Sequence, residues 1–425
     1  MFGCGESVGR GFRFADEVAA AAWRPRQADR LQHLDEINQA TLDELRAVRS
    51  REPGVLQATH QHGRRLLLAA GGVLGLLAAI GPLFSAFAAS PRSGGGGGGG
   101  QGSSGRVHTL PSTNQTVRLG VFDTTLPNIL EIDSGDVVVY PNTWTHFLNR
   151  TQPGVSIEQL AQMRRDNPGK GPHSIIGPVG VRGAQPGDML AIHYQRLLPL
   201  DWGVNFNNPG DLGTGALPDE FPDGRVRYLD LDLQAMTASF APGISLPLAP
   251  FQGTLGVAPA QGGIVSSVPP GQHAGNVDLR DLVEGSILYI PVWQAGAKIF
   301  TGDSHALQGD GEVNLTALET AMRELRIQVV LHQQPGWEWP FAETDSHWFA
   351  LGMHHDLNEA FKIALRNALD FLERKAGLER LDAYALASMG LSFRVTQVVD
   401  ANKGVHAMIP KSLFSDELQS TIAIV

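Results

Sequence analysis

The chain has 425 residues, enough for one large or two ordinary domains, and its formal net charge of −10 argues against nucleic acid, whose binders present a basic face. Its 50 glycines and 26 prolines point to turns and short strands more than to long helices. Cys4 is the single cysteine, which excludes an intramolecular disulfide, a cysteine-rich zinc site and, beyond the N-terminal tail, any thiol nucleophile.

Residues 1–63 mix charges and carry one partial apolar stripe (Leu31, Leu34, Ile37, Leu42, Leu45, Val48), which suits a polar leader, disordered or partly helical. At 64–89 the text becomes RRLLLAAGGVLGLLAAIGPLFSAFAA, an arginine pair followed by 24 uncharged residues, long enough to cross a bilayer. Arg64 and Arg65 before the leucines resemble a twin-arginine export signal, with small residues at Ala86-Phe87-Ala88; the same text suits a single membrane anchor. Either way the rest of the chain is expected outside the cytoplasm, periplasmic or extracytoplasmic. Residues 90–105 form a Gly/Ser linker, in whose flexible backbone no serine nucleophile could be held in attack geometry.

The globular part, 106–425, begins with strands: VRLGVF, EIDSGDVVVYP and DMLAIHYQRLLPL, with SIEQLAQMRRD at 156–166 as a short helix. Ser134-Gly135-Asp136 and Pro186-Gly187-Asp188 are turn chemistry. Residues 200–250 are rich in Asn, Gly, Pro and Asp and read as a long irregular loop, a lid, a rim or an oligomer contact. At 313–332 TALETAMREL favours helix by propensity whereas RIQVVLHQ is strand-like, and WEWP at 337–340 suits core or interface. Asp356 with Glu359 gives a capping-box start to a helix with a stripe of Leu357, Ala360, Phe361, Ala364, Ala368, Phe371 and Leu372, closed by Gly377; Leu378–Met389 gives a second helix. The class is α+β, predominantly β, with a late helical hairpin.

Chemistry concentrates in 251–312. There SILYIPVW and AKIF read as two strands joined by a turn at 294–296. Side chains two apart on a strand share a face, so Asp303 and His305 pair up, as do Asn276 and Asp278. Oxygen and imidazole groups converging in this way suit a divalent metal, with His173 and His273 as further ligands; a hydrogen-bonded pair at a strand end fits Asp303 and His305 equally well. Glu312, after a Gly-Asp-Gly turn, is placed to move a proton.

Five blocks in order, GPHSIIGPVGVRGAQPGDML (171–190), FQGTLGVAP (251–259), GQHAGNVDLRDL (271–282), GDSHALQGDGE (302–312) and RVTQVVDANKGVHAMIP (394–410), resemble the acetamidase/formamidase family. The resemblance implies a β-rich fold, a homo-oligomer, a divalent metal (zinc first, calcium second) and hydrolysis of a short amide to ammonia and a carboxylic acid. It also implies strand throughout 313–332, with the acidic residues outward. On the matching positions, Asp303, His305, Asp278, His173 and His273 are assigned to metal, Glu312 and Asp310 to catalysis, and Asn276 and Gln308 to substrate. YPNTWTHFLNR at 140–150 and the DWGVNFNNPG loop depart from the pattern, which leaves the substrate open. A metal-containing binding module and a hydrolase of another amide or ester are the alternatives on the same scaffold.

Overall fold

The computed structural model describes residues 105–425. The leader, the 64–89 segment with Arg64 and Arg65, and the linker up to residue 104 lie outside the described residues.

Two large sheets and a helical hairpin form three layers. The first sheet runs in the order Val107–Thr109, Val137–Pro141, Met322–His332, Met189–Pro199, Ile287–Pro291, Phe341–Glu343, His347–His354, Lys403–Pro410, Ser392–Gln397. Its central strands are buried on both faces, and the period-2 alternation of a strand divides their side chains between two cores. Along Met189–Pro199, Met189 and Ala191 face one core while Leu190, Ile192 and Tyr194 face the other. Trp348 and Ala350 alternate in the same way with Phe349 and Leu351. One core is completed by Val179, Leu255 and Ile299 of the second sheet, the other by Leu369, Phe371 and Leu372 of the helix Leu357–Ala376.

That helix begins as its sequence directs: the Asp356 carboxylate accepts from the backbone N–H groups of Asn358 and Glu359. The box is only half made, because the Glu359 carboxylate binds Lys362 at 2.7 Å. Its buried stripe is mostly alanine (Ala360, Ala364, Ala368), so the helix lies close on Gly352, where a Cβ would strike the backbone at Ala360 and Ala364. Phe361, expected in the stripe, is instead 41% exposed and packs on Phe393. Gly377, at φ 69°, closes the helix, and the second helix runs Arg380–Gly390.

The second sheet runs Ile244–Pro247, Thr237–Ala241, Arg225–Asp232, Trp202–Asn207, Leu318–Thr320, Ile299–Leu307, Phe251–Gly256, Ala274–Asn276, with Ser174–Val181 also paired to Ile299–Leu307. Strand is present at Leu318–Thr320 and Met322–His332, as the resemblance implies, because pairing with Met189–Pro199 overrides the helix propensity of TALETAMREL. Two other expectations need revision. The 200–250 stretch is largely a strand meander, with an irregular loop only at 208–224; its alternation was hidden because Arg225–Asp232 turns mainly Leu229 and Leu231 inward. Ile287–Pro291 and Ile299–Leu307 are successive strands but belong to different sheets, so the 292–298 connection passes from one layer to the other. Trp337 of WEWP is core, donating Nε1–H to the Ile424 carbonyl at 2.7 Å.

Candidate metal and active site

The second sheet carries a cluster that an ordinary core would not tolerate. Asp303 and His305 project from Ile299–Leu307 and meet, His305 Nε2 lying 3.3 Å from Asp303 Oδ1. Glu319 on the neighbouring strand places Oε2 3.1 Å from the same nitrogen, while its Oε1 accepts from Ala317 N–H. His146 Nε2 binds Asp303 Oδ1 at 2.8 Å and lies 3.4 Å from Glu319 Oε2. His173 Nε2 is 3.9 Å from Asp303 Oδ2, its ring oriented by a 2.8 Å hydrogen bond between Nδ1 and Ser267 Oγ. On the other side of His305, Asp278 Oδ1 is 4.0 Å from Nδ1, with Glu312 next to it. The Thr254 hydroxyl lies against Asn276 Oδ1 and, at 3.2 Å, Asp303 Oδ2.

The backbone is bent to make this possible. Asp278, Asp303 and Glu312 sit at φ 49°, 60° and 46°, the left-handed region that side chains other than glycine's adopt at a cost. Gly253 faces the cluster: a Cβ there would come within 2.6 Å of Asp278 Oδ1 and His305 Cε1 and 2.8 Å of Asp303 Oδ2.

Electrostatics follow from dense packing of charge out of water. Burial opposes ionisation of Asp303, but the imidazoles of His173, His305 and His146 hold its carboxyl well below the usual range. Burial likewise opposes protonation of His146 and His305, yet Glu319 and Asp303 raise both. His173 falls to about 4, through burial first. Burial raises Asp278 and Glu312 well above the carboxylate norm; Asp400 and Asp303 add to it for the first, Asp278 and Asp400 for the second. Asp400 is pushed up to about 7, again mainly by burial.

A divalent ion fits these residues. Buried polar atoms nearly always find a hydrogen bond, but here His146 Nδ1, both His305 nitrogens, both Asp278 oxygens, Glu312 Oε2, Glu319 Oε2 and Asp400 Oδ2 have none. His305 Nε2 is near two carboxylates without hydrogen-bond geometry to either. Donors gather within 4.8 Å in three groups: His146, His173 and Asp303; Asp303, His305 and Glu319; Asp278, His305 and Glu312. Imidazole and carboxylate are the donors zinc and similar ions take. Beside them lies a cavity of about 60 Å³, lined on its polar side by His146, His173, Asn276, Asp303, Glu312, Glu319 and Asp400, with Phe147, Phe206 and Leu315 as an apolar wall.

Of the residues singled out in the sequence, His173, Asn276, Asp278, Asp303, His305 and Glu312 come together. Glu312 is buried, not on a mobile turn. Three do not join them. His273 packs edge-on against Phe122 and does not line the cavity, and burial takes it down to about 4. Asp310 is exposed and sits 3.7 Å from Arg394, because the turn that buries Glu312 directs it outward. Gln308 donates Nε2–H to the Asp278 carbonyl at 2.9 Å, bracing a backbone instead of facing the cavity.

His146, Glu319 and Asp400 went unread. His146 stands in the segment that departs from the family pattern, on a short turn (His146–Asn149) with left-handed Phe147 and Leu148. Glu319, expected outward, points in. Asp400 lies within RVTQVVDANKGVHAMIP, with no second acid or imidazole at strand spacing to mark it. A carboxylate between Leu318 and Thr320 in an apolar context was the one signal available for Glu319.

The family model described as "Acetamidase/Formamidase family" matches residues 124–262 and 263–338, just over half of the chain. A formamidase of Methylophilus methylotrophus is 28% identical over 202 residues, 35% of this chain and 49% of that protein. An acetamidase of Mycolicibacterium smegmatis is 26% identical over 199 residues, 33% of this chain and 49% of that one. The chain thus spans about half the length of these relatives. Crystal structures of acetamidases from Bacillus halodurans (27% identity, TM-score 0.65, covering 72% of this chain and 98% of that chain) and Yersinia enterocolitica (29%, 0.66, 74% and 95%) share the fold.

Proposed function

The chain belongs to the acetamidase/formamidase family, and on that premise we propose that it hydrolyses a linear amide to ammonia and the carboxylic acid in the 60 Å³ cavity. The observation that carries this reading is the convergence of unpartnered ligand atoms on one side of a cavity with the buried Glu312 carboxyl on its wall.

Nitrogen donates into an amide carbonyl and is a poor leaving group, so a catalyst must polarise oxygen, supply the water and protonate nitrogen. His146, His173, Asp303, His305 and Glu319 would hold a divalent ion, for which we propose zinc first. Such an ion supplies Lewis acidity towards a carbonyl and makes water more acidic. Asp278, 4.0 Å from His305 Nδ1 on the other side of that ring, belongs with His305 and Glu312 to a further group of donors. The Thr254 contact engages Asn276 Oδ1, which leaves its Nδ2–H₂ free to hold a substrate oxygen. Glu312, whose carboxyl burial and Asp278 shift upward, towards the protonated form, hands a proton from Oε2 to the departing nitrogen and regains one from the attacking water. Phe147, Phe206 and Leu315 exclude bulk water.

The test is ammonia release by the full chain from formamide, acetamide and propionamide, before and after chelation. Activity lost with chelator and regained with zinc or calcium ranks both substrates and metals. Activity indifferent to chelation removes the metal from the reading; a folded, metal-loaded protein releasing no ammonia moves the binding module forward.

Residues 64–89 support an extracytoplasmic location, by export or by anchoring. Changing Arg64 and Arg65 to lysine should abolish twin-arginine export, and normal export of that variant excludes the route. We also propose a homo-oligomer, readable by light scattering.

A further inference from the structure

The reading of amide hydrolysis leaves open which amide, and a second cavity bears on that choice. The polar cavity, about 60 Å³, equals the space of about four waters at ~15 Å³ each. An acetamide-sized molecule fills it. A larger acyl group must go elsewhere.

A chamber of about 270 Å³ adjoins it, formed by the 208–224 loop and Val313. Asn208 and Thr214 line both spaces and are hydrogen-bonded to each other, Nδ2 to Oγ1, at 3.1 Å. One short segment also runs along both: Glu312 and Leu315 face the polar cavity, Val313 the chamber. Apart from Asn207 and Asn314, the rest of its lining is apolar or glycine. Leu217, Phe221 and Val313 gather there at 52%, 60% and 64% exposure, an arrangement that water disfavours and an apolar ligand would cover.

We propose that this chamber receives the acyl chain of the substrate, so that the preferred substrates are primary amides with an apolar acyl group of several carbons. The amide head stays at Asn276 and Glu312, and the chain passes the Asn208–Thr214 pair to lie against Leu217 and Phe221. The reaction is unchanged: water adds to the carbonyl, the C–N bond breaks, and ammonia and the longer carboxylic acid leave.

The test measures kcat/KM of the full chain from formamide through butyramide to hexanamide. Burying one methylene should raise it about fourfold per carbon added beyond acetamide. Phe221→Ala and Leu217→Ala, at half-exposed positions that the fold does not depend on, should flatten that rise and leave formamide within about twofold; Phe361→Ala, an exposed phenylalanine outside the chamber, should change nothing. Calorimetric binding of hexanamide and acetamide to wild type and Phe221→Ala reads the chamber without turnover. Tighter hexanamide binding that Phe221→Ala weakens, in a protein releasing no ammonia, upholds the chamber and overturns hydrolysis alone. Activity that falls from acetamide onward and ignores both loop variants overturns the chamber alone, as does equal binding of the two amides. An oligomer that dissociates in Phe221→Ala with an unchanged amide profile also overturns it, assigning the patch to contact between copies.

Discussion

The two large sheets bury polar groups on opposite terms. In the first, the helix-covered sheet, nearly everything inside is apolar, and His406 is an isolated buried imidazole bound through Nδ1 to Thr396 Oγ1 at 2.8 Å, its Nε2, like Tyr194 Oη and Trp348 Nε1, standing singly without a partner. In the second, His146, His173, Asp278, Asp303, His305, Glu312 and Glu319 share one interior, with unpartnered atoms and left-handed backbone. Leaving a buried polar atom unpaired costs about 1–3 kcal/mol, so a cluster of this density calls for a shared ligand, whereas single polar groups in an apolar core do not. Substitutions in the two regions should therefore fail in different ways.

The sharpest break between them should come from Glu312→Gln, which removes the proton carrier. We expect kcat to fall about 10²–10⁴-fold with thermal stability kept or raised, while Asp310→Asn, two residues away but exposed, stays within about twofold. Steady-state kinetics beside calorimetry of both variants checks it; a large loss in Asp310→Asn would return that residue to the site. Gly253→Ala comes next. Its methyl would displace Asp278, His305 or Asp303, and misplacement on this scale costs about 10²-fold. Metal content by mass spectrometry should drop with it, and a variant retaining full metal and activity would show that the strand yields to the added methyl.

On the first sheet, Phe371→Ala opens a void against Phe341 and Trp348 and should cost about 3–5 kcal/mol, with activity per folded molecule unchanged. Denaturant midpoints set against kcat separate these; a matching fall in kcat would couple the layers. The effect that is smallest near neutral pH, and grows only as acid is added, is on acid stability. Burial, with Arg394 and Arg280, takes His406 from 6.5 down to about 3, so between those values the unfolded chain binds the extra proton. Stability is therefore lost as pH falls from about 6.5 towards 3, by about 1.4 kcal/mol per unit for this one group. His406→Gln should flatten the acid limb by that slope; an unchanged limb would mean that His406 is protonated in the fold.

What could be read beforehand differs between the sheets for the same reason. Apolar alternation marks the strands of the first sheet, and Asp356 and Gly377 mark its helix, because these are local features of the chain. The local part of the site was legible too: Asp303 and His305 share one strand, and Asn276 and Asp278 stand two apart beside it. His146 is 157 residues from the Asp303 it binds. Glu319 sits in text with helical propensity, and its inward direction depends on which neighbour its strand pairs with.

The sequence by itself determined the β-rich class, the helical hairpin, the family and the acidic and imidazole groups the site is made from. Each of these is a matter of residue type at short spacing. Only the tertiary structure decided which of them meet, that His273, Asp310 and Gln308 stand apart while His146, Glu319 and Asp400 join, and that an apolar chamber opens beside the polar cavity. Those outcomes depend on strand order and on three left-handed acids at 278, 303 and 312, which the packing of the whole domain, not the local chain, holds in place.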